Sequence, residues 1–207
     1  MIYTAQEFST LIQSGTIKDI HKVNDIITVE GTECRIIGIN HDRSIDNPTK
    51  HTVTLMPSTL LPAREYHRSG RCENGWKDSD LRRWLNEEHI NTLPAALVEI
   101  IQSVKKRTHN YNGRLRMTTD KLFALSESEL IGSAYWSPKE DGKRYKAFSD
   151  SGKRMMKDTN GDYRYYWTRS AYRDTSTSFV NVYTEGTVDI SGASNTTLRV
   201  SFGFTVS

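Results

Sequence analysis

The last residues of the chain, "LRVSFGFTVS", alternate strictly between apolar and other side chains. Side chains of a strand point to opposite faces with a period of two residues. The apolar face holds Leu198, Val200, Phe202, Phe204 and Val206, and the other face holds Arg199, Ser201, Gly203 and Thr205. Five apolar side chains on one face predict a strand at the centre of its sheet, which needs neighbours on both edges.

The first quarter of the chain contains runs that can supply such neighbours. "DIITVEG", "ECRIIGINHD" and "HTVTLMPS" are rich in Ile, Val and Thr and are bounded by Gly, Asn and Pro, as is typical of strands. A short helix is predicted before them, because Thr4 and Glu7 have the spacing of a capping box.

The middle of the chain is predicted to be helical. Leu81, Trp84 and Leu85 lie one turn apart within Asp80–Asn86. A second helix is expected over Pro94–Arg107, since Pro suits a first helical turn and basic residues suit the last one. Its apolar stripe consists of Leu97, Ile100, Ile101 and Val104.

The chain then passes through a short predicted strand, "DKLFALS", and a helical turn with Ser126 and Glu129 in capping-box spacing. Residues 133–164 are polar and rich in Gly, Ser, Lys and Asp, which predicts a long, partly ordered insertion on the surface. The chain therefore divides into an N-terminal helix and lead-in strand (1–29), this insertion (133–164) and a C-terminal segment (165–207).

Composition excludes several classes of protein. The chain has 207 residues with 36% hydrophobic and 26% charged residues, which suits one globular domain. It has no apolar run long enough for a bilayer and no secretory signal, so we expect neither a membrane partner nor export by that route. Cys34 and Cys72 are expected to be free thiols in a reducing cytoplasm, although a single bridge stays open.

No pattern typical of an enzyme is present. The six His are scattered, and there is no HExxH, GxSxG, P-loop or GxGxxG motif, so we expect no catalytic residues and no cofactor. Asp158, Asn160 and Asp162 alternate as in a calcium loop, but the Gly is misplaced and no Glu follows. The spacing favours a plain turn over a metal site, with calcium left open.

The basic stretch "KKRTHNYNGRLR" raises the question of nucleic acid. A helix C-terminus followed by a solvated loop explains it equally well, and no groove-reading motif accompanies it. We therefore expect no nucleic-acid partner.

The C-terminal segment offers a stronger candidate site. Its loops and predicted outward faces are rich in Tyr, Ser, Thr and Asn, which antibody loops also favour. Tyr gives contact area at little entropy cost, and Ser and Asn give adaptable hydrogen bonds. The candidate ligand-binding residues are Tyr172, Arg173, Asp174, Ser176, Ser178, Asn181, Tyr183, Thr187, Asp189, Ser191, Ser194, Asn195 and Thr196. An ordinary solvated sheet face is the alternative.

A family resemblance bears on this choice. "GTECRIIGINHD", "GWKDSDLRRWLNEEHINTLP", "TTDKLFALSESELIG", "YYWTRSAY" and "FVNVYTEGTVDISGASNTTLRVSFGF", in this order, resemble a bacterial and phage domain family built on the C-type-lectin fold. The C-terminal part is also similar to the variable proteins of diversity-generating retroelements, whose scaffold carries hypervariable surface residues. The resemblance implies an α+β, C-type-lectin-like single domain, with a small, twisted, mostly antiparallel sheet flanked by two helices.

The chain departs from relatives of that fold. It has neither the Glu-Pro-Asn or Gln-Pro-Asp calcium site nor the paired disulfides of sugar-binding lectins, so calcium-dependent sugar binding is not expected. Formylglycine-generating enzymes share the broad fold but rely on a reactive cysteine pair near the C-terminus. Cys34 and Cys72 lie in the first half of this chain, so that chemistry is not expected here. The expected core residues are Trp84, Trp167, Val180, Val182, Val188, Val200, Phe202 and Phe204. Arg169 is expected to anchor its loop to backbone carbonyls or to an acidic partner.

These observations predict non-catalytic recognition of a protein or glycan on a target cell surface. The setting implied by the resemblance is a bacteriophage tail or surface that recognises a host receptor, with copies in the bacterial cytoplasm before assembly and a trimer by analogy. Two alternatives stay open: a virion decoration or assembly module without a ligand, and an enzyme with a site in 133–164. Replacing Tyr172 and Tyr183 together with Ala is expected to abolish binding to the target.

Overall fold

The computed structural model describes residues 1–207 as an α+β domain with mostly antiparallel sheets and few helices. The helices are α1 (Ala5–Gln13), α2 (Ile17–Ile20), α3 (Asp80–Glu87), α4 (Ala95–Ile100) and α5 (Glu127–Ile131). The strands are β1 (Ile2–Tyr3), β2 (Ile26–Val29), β3 (Thr32–Ile39), β4 (Val53–Pro57), β5 (Ile101–Gln102), β6 (Val104–His109), β7 (Leu115–Asp120), β8 (Leu122–Phe123), β9 (Tyr166–Ala171), β10 (Ser178–Val182), β11 (Val188–Gly192) and β12 (Gly203–Val206). None of the helices is long and apolar enough to cross a bilayer.

The last strand lies inside the largest sheet, as its alternation predicts, but it is shorter than the alternating stretch. It covers only Gly203–Val206, and before it the chain pairs through isolated bridges at Arg199 and Val200. That sheet has seven strands in the order β1-β2-β3-β4-β12-β5, and β8 also pairs with β12. Only the β1–β2 pair is parallel. Ser201, Gly203 and Thr205 are buried like their apolar neighbours, so both faces of β12 are covered. The alternation predicts an apolar face and a polar face, but it does not show that other parts of the chain cover the polar face as well.

Two smaller sheets complete the architecture: β11-β10-β9, with β10 in the middle, and the β6–β7 hairpin. Aromatic rings join the three-stranded sheet to the rest of the core. Tyr66 stacks on Phe179 of β10 with ring centroids 3.7 Å apart and meets Trp167 of β9 edge-on at 5.6 Å. All three rings are buried, and they belong to one hydrophobic cluster that also contains the apolar side chains of β12.

Both predicted capping boxes are confirmed. At α1 the Thr4 side chain accepts from the Glu7 N–H, and at α5 the Ser126 side chain accepts from the Glu129 N–H. In each case the Glu side chain accepts in return from the capping residue's N–H. The difference is burial, because Glu7 is exposed whereas Glu129 is buried and therefore needs further partners.

The predicted helix over Pro94–Arg107 is wrong in its second half. The helix ends at Ile100, and the chain continues as β5 and β6. Val104, Lys106 and Thr108 are buried on β6 while Lys105 and Arg107 are exposed, which is the two-residue period of a strand. Pairing with β12 and β7 therefore outweighs the local helical spacing. The basic stretch lies in the β6–β7 hairpin rather than at a helix end.

Residues 133–164 pack more deeply than their polar composition predicts. Asp141, Tyr145, Phe148 and Met156 are buried, and Tyr145 N–H donates to the Glu129 carbonyl at 2.9 Å. Because a few large side chains are enough to fix a long polar segment, average composition is a poor guide here.

The predicted core is confirmed for Trp167, Val180, Val182, Val200, Phe202 and Phe204, all of which are buried. Trp84 and Val188 are only half-buried. Trp84 lies at the edge of the core, where the Arg64 guanidinium covers its ring at 4.3 Å. Val188 begins β11, an edge strand that has a neighbour on one side only.

Candidate recognition surface

Most of the predicted ligand-binding residues reach solvent, but they do not form one group. Arg173, Asp174, Thr187, Ser194 and Thr196 are exposed, and Tyr172, Ser178, Tyr183, Asp189, Ser191 and Asn195 are half-buried. The remaining two, Ser176 and Asn181, are buried and are removed from the candidate site.

Both corrections have a physical cause. Asn181 lies on β10, the middle strand of its sheet, and its Nδ2 donates to Ser191 Oγ at 2.9 Å. Ser176 Oγ donates to Glu73 Oε1 at 3.0 Å, which fixes the loop before β10. Alternation along β10 identified the face of Asn181, but it could not show that the face is covered.

Tyr172 and Tyr183 lie apart. Tyr172 directly follows Ala171, which pairs with Phe179 at the start of β10, whereas Tyr183 follows the end of β10. Because side chains alternate between faces, Tyr183 shares the face of Phe179 and Tyr172 has the opposite one. The two tyrosines therefore lie at opposite ends and on opposite faces of the three-stranded sheet.

Around Tyr172, aromatic and charged side chains form what we call the Trp136 surface: Tyr135, Trp136, Tyr172, Arg173 and Asp174. The Trp136 ring meets Tyr135 edge-on at 5.0 Å and Tyr172 at 6.0 Å. Tyr135 is 60% exposed, so the cluster presents aromatic area to water. A hydrogen bond to the Asp174 carboxylate raises the pKa of Tyr172.

Buried groups hold this surface in place. The Glu127 carboxylate, fully buried at the start of α5, accepts from the N–H groups of Trp136 and Ser137, both at 2.8 Å. The Trp136 indole N–H donates to the Val188 carbonyl at 3.1 Å, and the Arg173 N–H donates to the Trp136 carbonyl at 3.1 Å. The surface is therefore tied to α5, β9 and β11 together.

Around Tyr183 lies a second aromatic group, the Tyr165 surface: Lys157, Tyr163, Tyr165 and Tyr183. Tyr165 and Tyr183 meet edge-on at 4.5 Å, and Lys157 Nζ lies 4.9 Å from the Tyr163 ring centroid. Hydrogen bonding to Asp189 raises the pKa of Tyr183. The candidate residues predicted from the sequence did not include Tyr135, Trp136, Tyr163 and Tyr165. Aromatic residues within a polar segment could have indicated them as candidates for a binding surface.

A third cluster, which we call the buried ionic network, consists of Asp42, Lys106, Glu129, Tyr145 and Arg169. Arg169 binds the Glu129 carboxylate with both terminal nitrogens, one at 2.9 Å. Lys106 Nζ lies 2.7 Å from Asp42 Oδ1 and 3.4 Å from Glu129 Oε1. The Tyr145 hydroxyl donates to Asp42 Oδ2 at 2.6 Å. Each charge in the network therefore has an opposite charge in contact.

Arg169 also confirms its predicted role as an anchor. Its guanidinium donates to the carbonyls of Ala124 at 3.0 Å and Asp141 at 2.7 Å. The Asp141 carboxylate in turn accepts from the His109 N–H and contacts His109 Nδ1, both at 2.8 Å. One arginine thus joins β9, α5, the 133–164 segment and the end of β8.

The pKa shifts in the network follow from burial and charge. Burial disfavours the ionised form of Asp42, but the ammonium of Lys106 outweighs it and lowers the pKa of Asp42 to about 2. Glu129 behaves in the same way, since Arg169 and Lys106 outweigh burial and lower its pKa. Burial raises the pKa of Asp141 despite the opposing charge of Arg169. The network is ionised because it is internally paired.

The possible calcium loop at Asp158 and the two cysteines have structural roles. The Asp158 carboxylate accepts from Arg164 Nε at 2.9 Å, Arg199 Nη2 at 3.1 Å and the Asn160 N–H at 2.9 Å, which makes a salt-bridged turn. No group of three His, Cys, Asp or Glu residues is arranged to hold a metal ion. Cys34 and Cys72 are free and buried, and burial raises the pKa of each thiol to about 12.

Fold and side-chain geometry define the class of this chain as an α+β domain of three sheets around one core, with a buried ionic network and two aromatic surfaces. The chain belongs to the DUF6273 family, a domain of unknown function whose model matches residues 50–206. No curated protein and no solved structure matches the chain.

Proposed function

We propose that this chain is a non-catalytic ligand-binding domain whose Trp136 surface contacts a protein or glycan on a target cell. The observation that carries the proposal is an aromatic cluster that faces water while buried Glu127 and two carbonyls fix its geometry. A side chain that is already ordered loses less conformational entropy when it binds, so more of the contact energy appears as affinity.

The composition of the surface supports the same proposal. Tyr, Trp and Arg are enriched among residues that dominate binding energy at interfaces, because each gives a large contact area and a directed polar group. Tyr135, Trp136, Tyr172 and Arg173 have these types and lie in one contact group.

The absence of catalysis is part of the proposal. Asp42 and Glu129, the carboxylates whose pKa values are lowered in the network, each contact a cation of that network, so their charges are already matched within the protein. Both thiols are held neutral and buried, which is the opposite of an activated nucleophile.

The finer proposal concerns origin and setting. We propose a C-type-lectin-like arrangement related to the variable proteins of diversity-generating retroelements, carried on a phage tail or bacterial surface for host recognition. The support is the order of the motifs quoted above and the exposed residues between β10 and β12. Several copies on one oligomer, a trimer by analogy, would raise a weak single-site affinity by roughly 100- to 10,000-fold.

The test compares the two aromatic surfaces. Biotinylated chains are tetramerised on streptavidin and added to a panel of bacterial cells and a glycan array, and bound fluorescence is measured. Tyr135→Ala with Arg173→Ala is expected to reduce binding by about tenfold or more. The matched control, Tyr163→Ala with Tyr165→Ala on the Tyr165 surface, is expected to bind as the unchanged protein does.

Two results would contradict the proposal. Equal binding by the Tyr135/Arg173 variant and the unchanged protein would exclude the Trp136 surface. Binding of the unchanged protein to no cell and no glycan would favour the alternative function, a decoration or assembly module. Circular dichroism melting of each variant checks that a loss of binding is not a loss of fold.

A further inference from the structure

A second polar region lies where the 133–164 segment meets β3 and β6. Two adjoining cavities are found there, of about 650 Å³ and about 350 Å³, and both are lined by Lys143 and Arg144. Arg107 lines the larger cavity, and His41 and Lys146 line the smaller one. We call these five residues and the two cavities the basic groove.

The cations of the groove lack protein partners. Arg107, Lys143 and Lys146 form no ion pair and no side-chain hydrogen bond, and all three are exposed. The Arg144 guanidinium donates to the Phe148 carbonyl, but its Nε is buried without an acceptor. The groove therefore contrasts with the buried ionic network, in which every charge is matched.

The carboxylates near the groove do not neutralise it. Glu140 is the only acidic residue that lines either cavity. Glu129 and Asp141 are buried, and their carboxylates have other partners. The Glu129 carboxylate contacts Arg169 and Lys106, and the Asp141 carboxylate contacts His109. The four cations Arg107, Lys143, Arg144 and Lys146 thus outnumber the single lining carboxylate, which favours an anionic ligand.

The backbone explains why these cations converge. Gly142 has a φ of 154°, and a Cβ at this position would lie 2.8 Å from Glu129 Oε1. Only Gly lets the chain pass so close above the Glu129–Arg169 pair, and Lys143 and Arg144 follow directly. Gly142 and Lys143 both line the larger cavity, and their N–H groups donate to no backbone carbonyl.

We propose that the basic groove binds an anionic polysaccharide, with its carboxylate, sulfate or phosphate groups between Arg107, Lys143 and Lys146. Two adjoining cavities that share Lys143 and Arg144 fit consecutive charged units of a chain better than one small anion. The half-buried Val23 and Ile39 in the smaller cavity offer an apolar contact for the C–H face of a sugar ring.

Nucleic acid fits the same groove less well. Recognition of single strands depends on aromatic rings on which bases stack. The only ring in the groove is that of His41, and Tyr145 already stacks on it at 3.9 Å. The groove is also distinct from the Trp136 surface, so this inference does not depend on the proposed function.

The test uses defined polymers of each class. Fluorescently labelled oligogalacturonate, dextran sulfate and poly(glycerol phosphate) are titrated with the protein, alongside neutral dextran, oligoglutamate and a dT20 oligonucleotide. At least one anionic polysaccharide is expected to bind, neutral dextran is not, and raising the salt from about 50 to about 200 mM is expected to weaken binding strongly.

Charge-reversal variants locate the site. Lys143→Glu with Lys146→Glu is expected to weaken binding by about 100-fold or more, because it replaces two attractions with two repulsions. The matched control, Lys77→Glu with Lys157→Glu, changes the net charge equally at exposed positions that line neither cavity. It is expected to lower affinity by less than about threefold, through long-range attraction alone.

Three outcomes would overturn the inference. One is the absence of binding to every anionic polysaccharide. A second is an equal loss in the groove variant and in its control, which would indicate general charge attraction. The third is tighter binding to dT20 or oligoglutamate than to all the polysaccharides, which would assign the groove to nucleic acid or to an acidic peptide. The Trp136-surface variant, Tyr135→Ala with Arg173→Ala, is expected to bind the anionic polysaccharides as the unchanged protein does, even if it no longer adsorbs to cells.

Discussion

The buried ionic network and the Trp136 surface differ in how their polar groups are satisfied. In the network, Arg169 contacts Glu129, and Lys106 contacts both Glu129 and Asp42, so each charge has an opposite charge beside it. At the Trp136 surface the buried Glu127 carboxylate binds the N–H groups of Trp136 and Ser137 and the Ser137 hydroxyl, and the aromatic and charged side chains reach water. Charged groups that are paired with one another therefore stabilise this fold, whereas recognition is to be sought where rigid side chains lack protein partners.

The largest effect is expected from breaking the network. Arg169→Met leaves the Glu129 carboxylate buried without its main partner, so the free energy of unfolding is expected to fall by about 3–5 kcal/mol. Urea denaturation measures it. The double variant Arg169→Met with Glu129→Gln is expected to recover part of the loss, because no buried charge is left unpaired. A loss below about 1 kcal/mol for Arg169→Met would show that the network is not structural.

A smaller effect is expected from acid. The pKa of Asp42 is about 2 in the folded protein, below its ordinary value, so its contribution is present above the unfolded pKa and is lost as pH falls through the folded pKa. Unfolding free energies between pH 5 and pH 2 are expected to fall by about 2 kcal/mol from this group. Asp42→Asn should flatten that part of the profile, and an unchanged slope would contradict the assignment.

A still smaller effect on stability is expected at Asn181, which the sequence predicts at the surface and the structure shows to be buried. Asn181→Ala removes the hydrogen bond to Ser191 and is expected to lower stability by about 1 kcal/mol, seen in urea denaturation. Thr187→Ala, at an exposed position, serves as the control and is expected to have no measurable effect. If Asn181→Ala reduced adsorption to cells without changing stability, the burial of Asn181 would not explain its role.

The smallest effect on stability is expected at the Trp136 surface. Tyr135→Ala alone is expected to change the free energy of unfolding by less than about 0.5 kcal/mol, since the side chain is 60% exposed. The same variant is expected to weaken target adsorption severalfold. A large loss of stability would place Tyr135 with the structural residues and remove the contrast between the two regions.

The sequence alone predicted the features that depend on local patterns. The capping boxes at Thr4 and Ser126, the strands before Pro57 and the central position of the last strand follow from residues within a few positions of one another. The anchoring role of Arg169 was also predictable, because an arginine within an aromatic, strand-forming stretch needs acceptors. Its partner Glu129 was recognised only as a capping residue.

The tertiary structure decided what covers each face and which distant residues meet. Ile101 and Val104 fit a helical stripe in the sequence, but pairing with β12 and β7 makes this part of the chain extended. Asn181 has the pattern of an outward residue, yet its sheet face is covered, while Tyr135 and Trp136 belong to the segment 133–164, which composition predicts only as a polar surface insertion. Periodicity determines how side chains alternate along one element. Burial depends on contacts between residues far apart in the chain, and a local pattern carries no information about them.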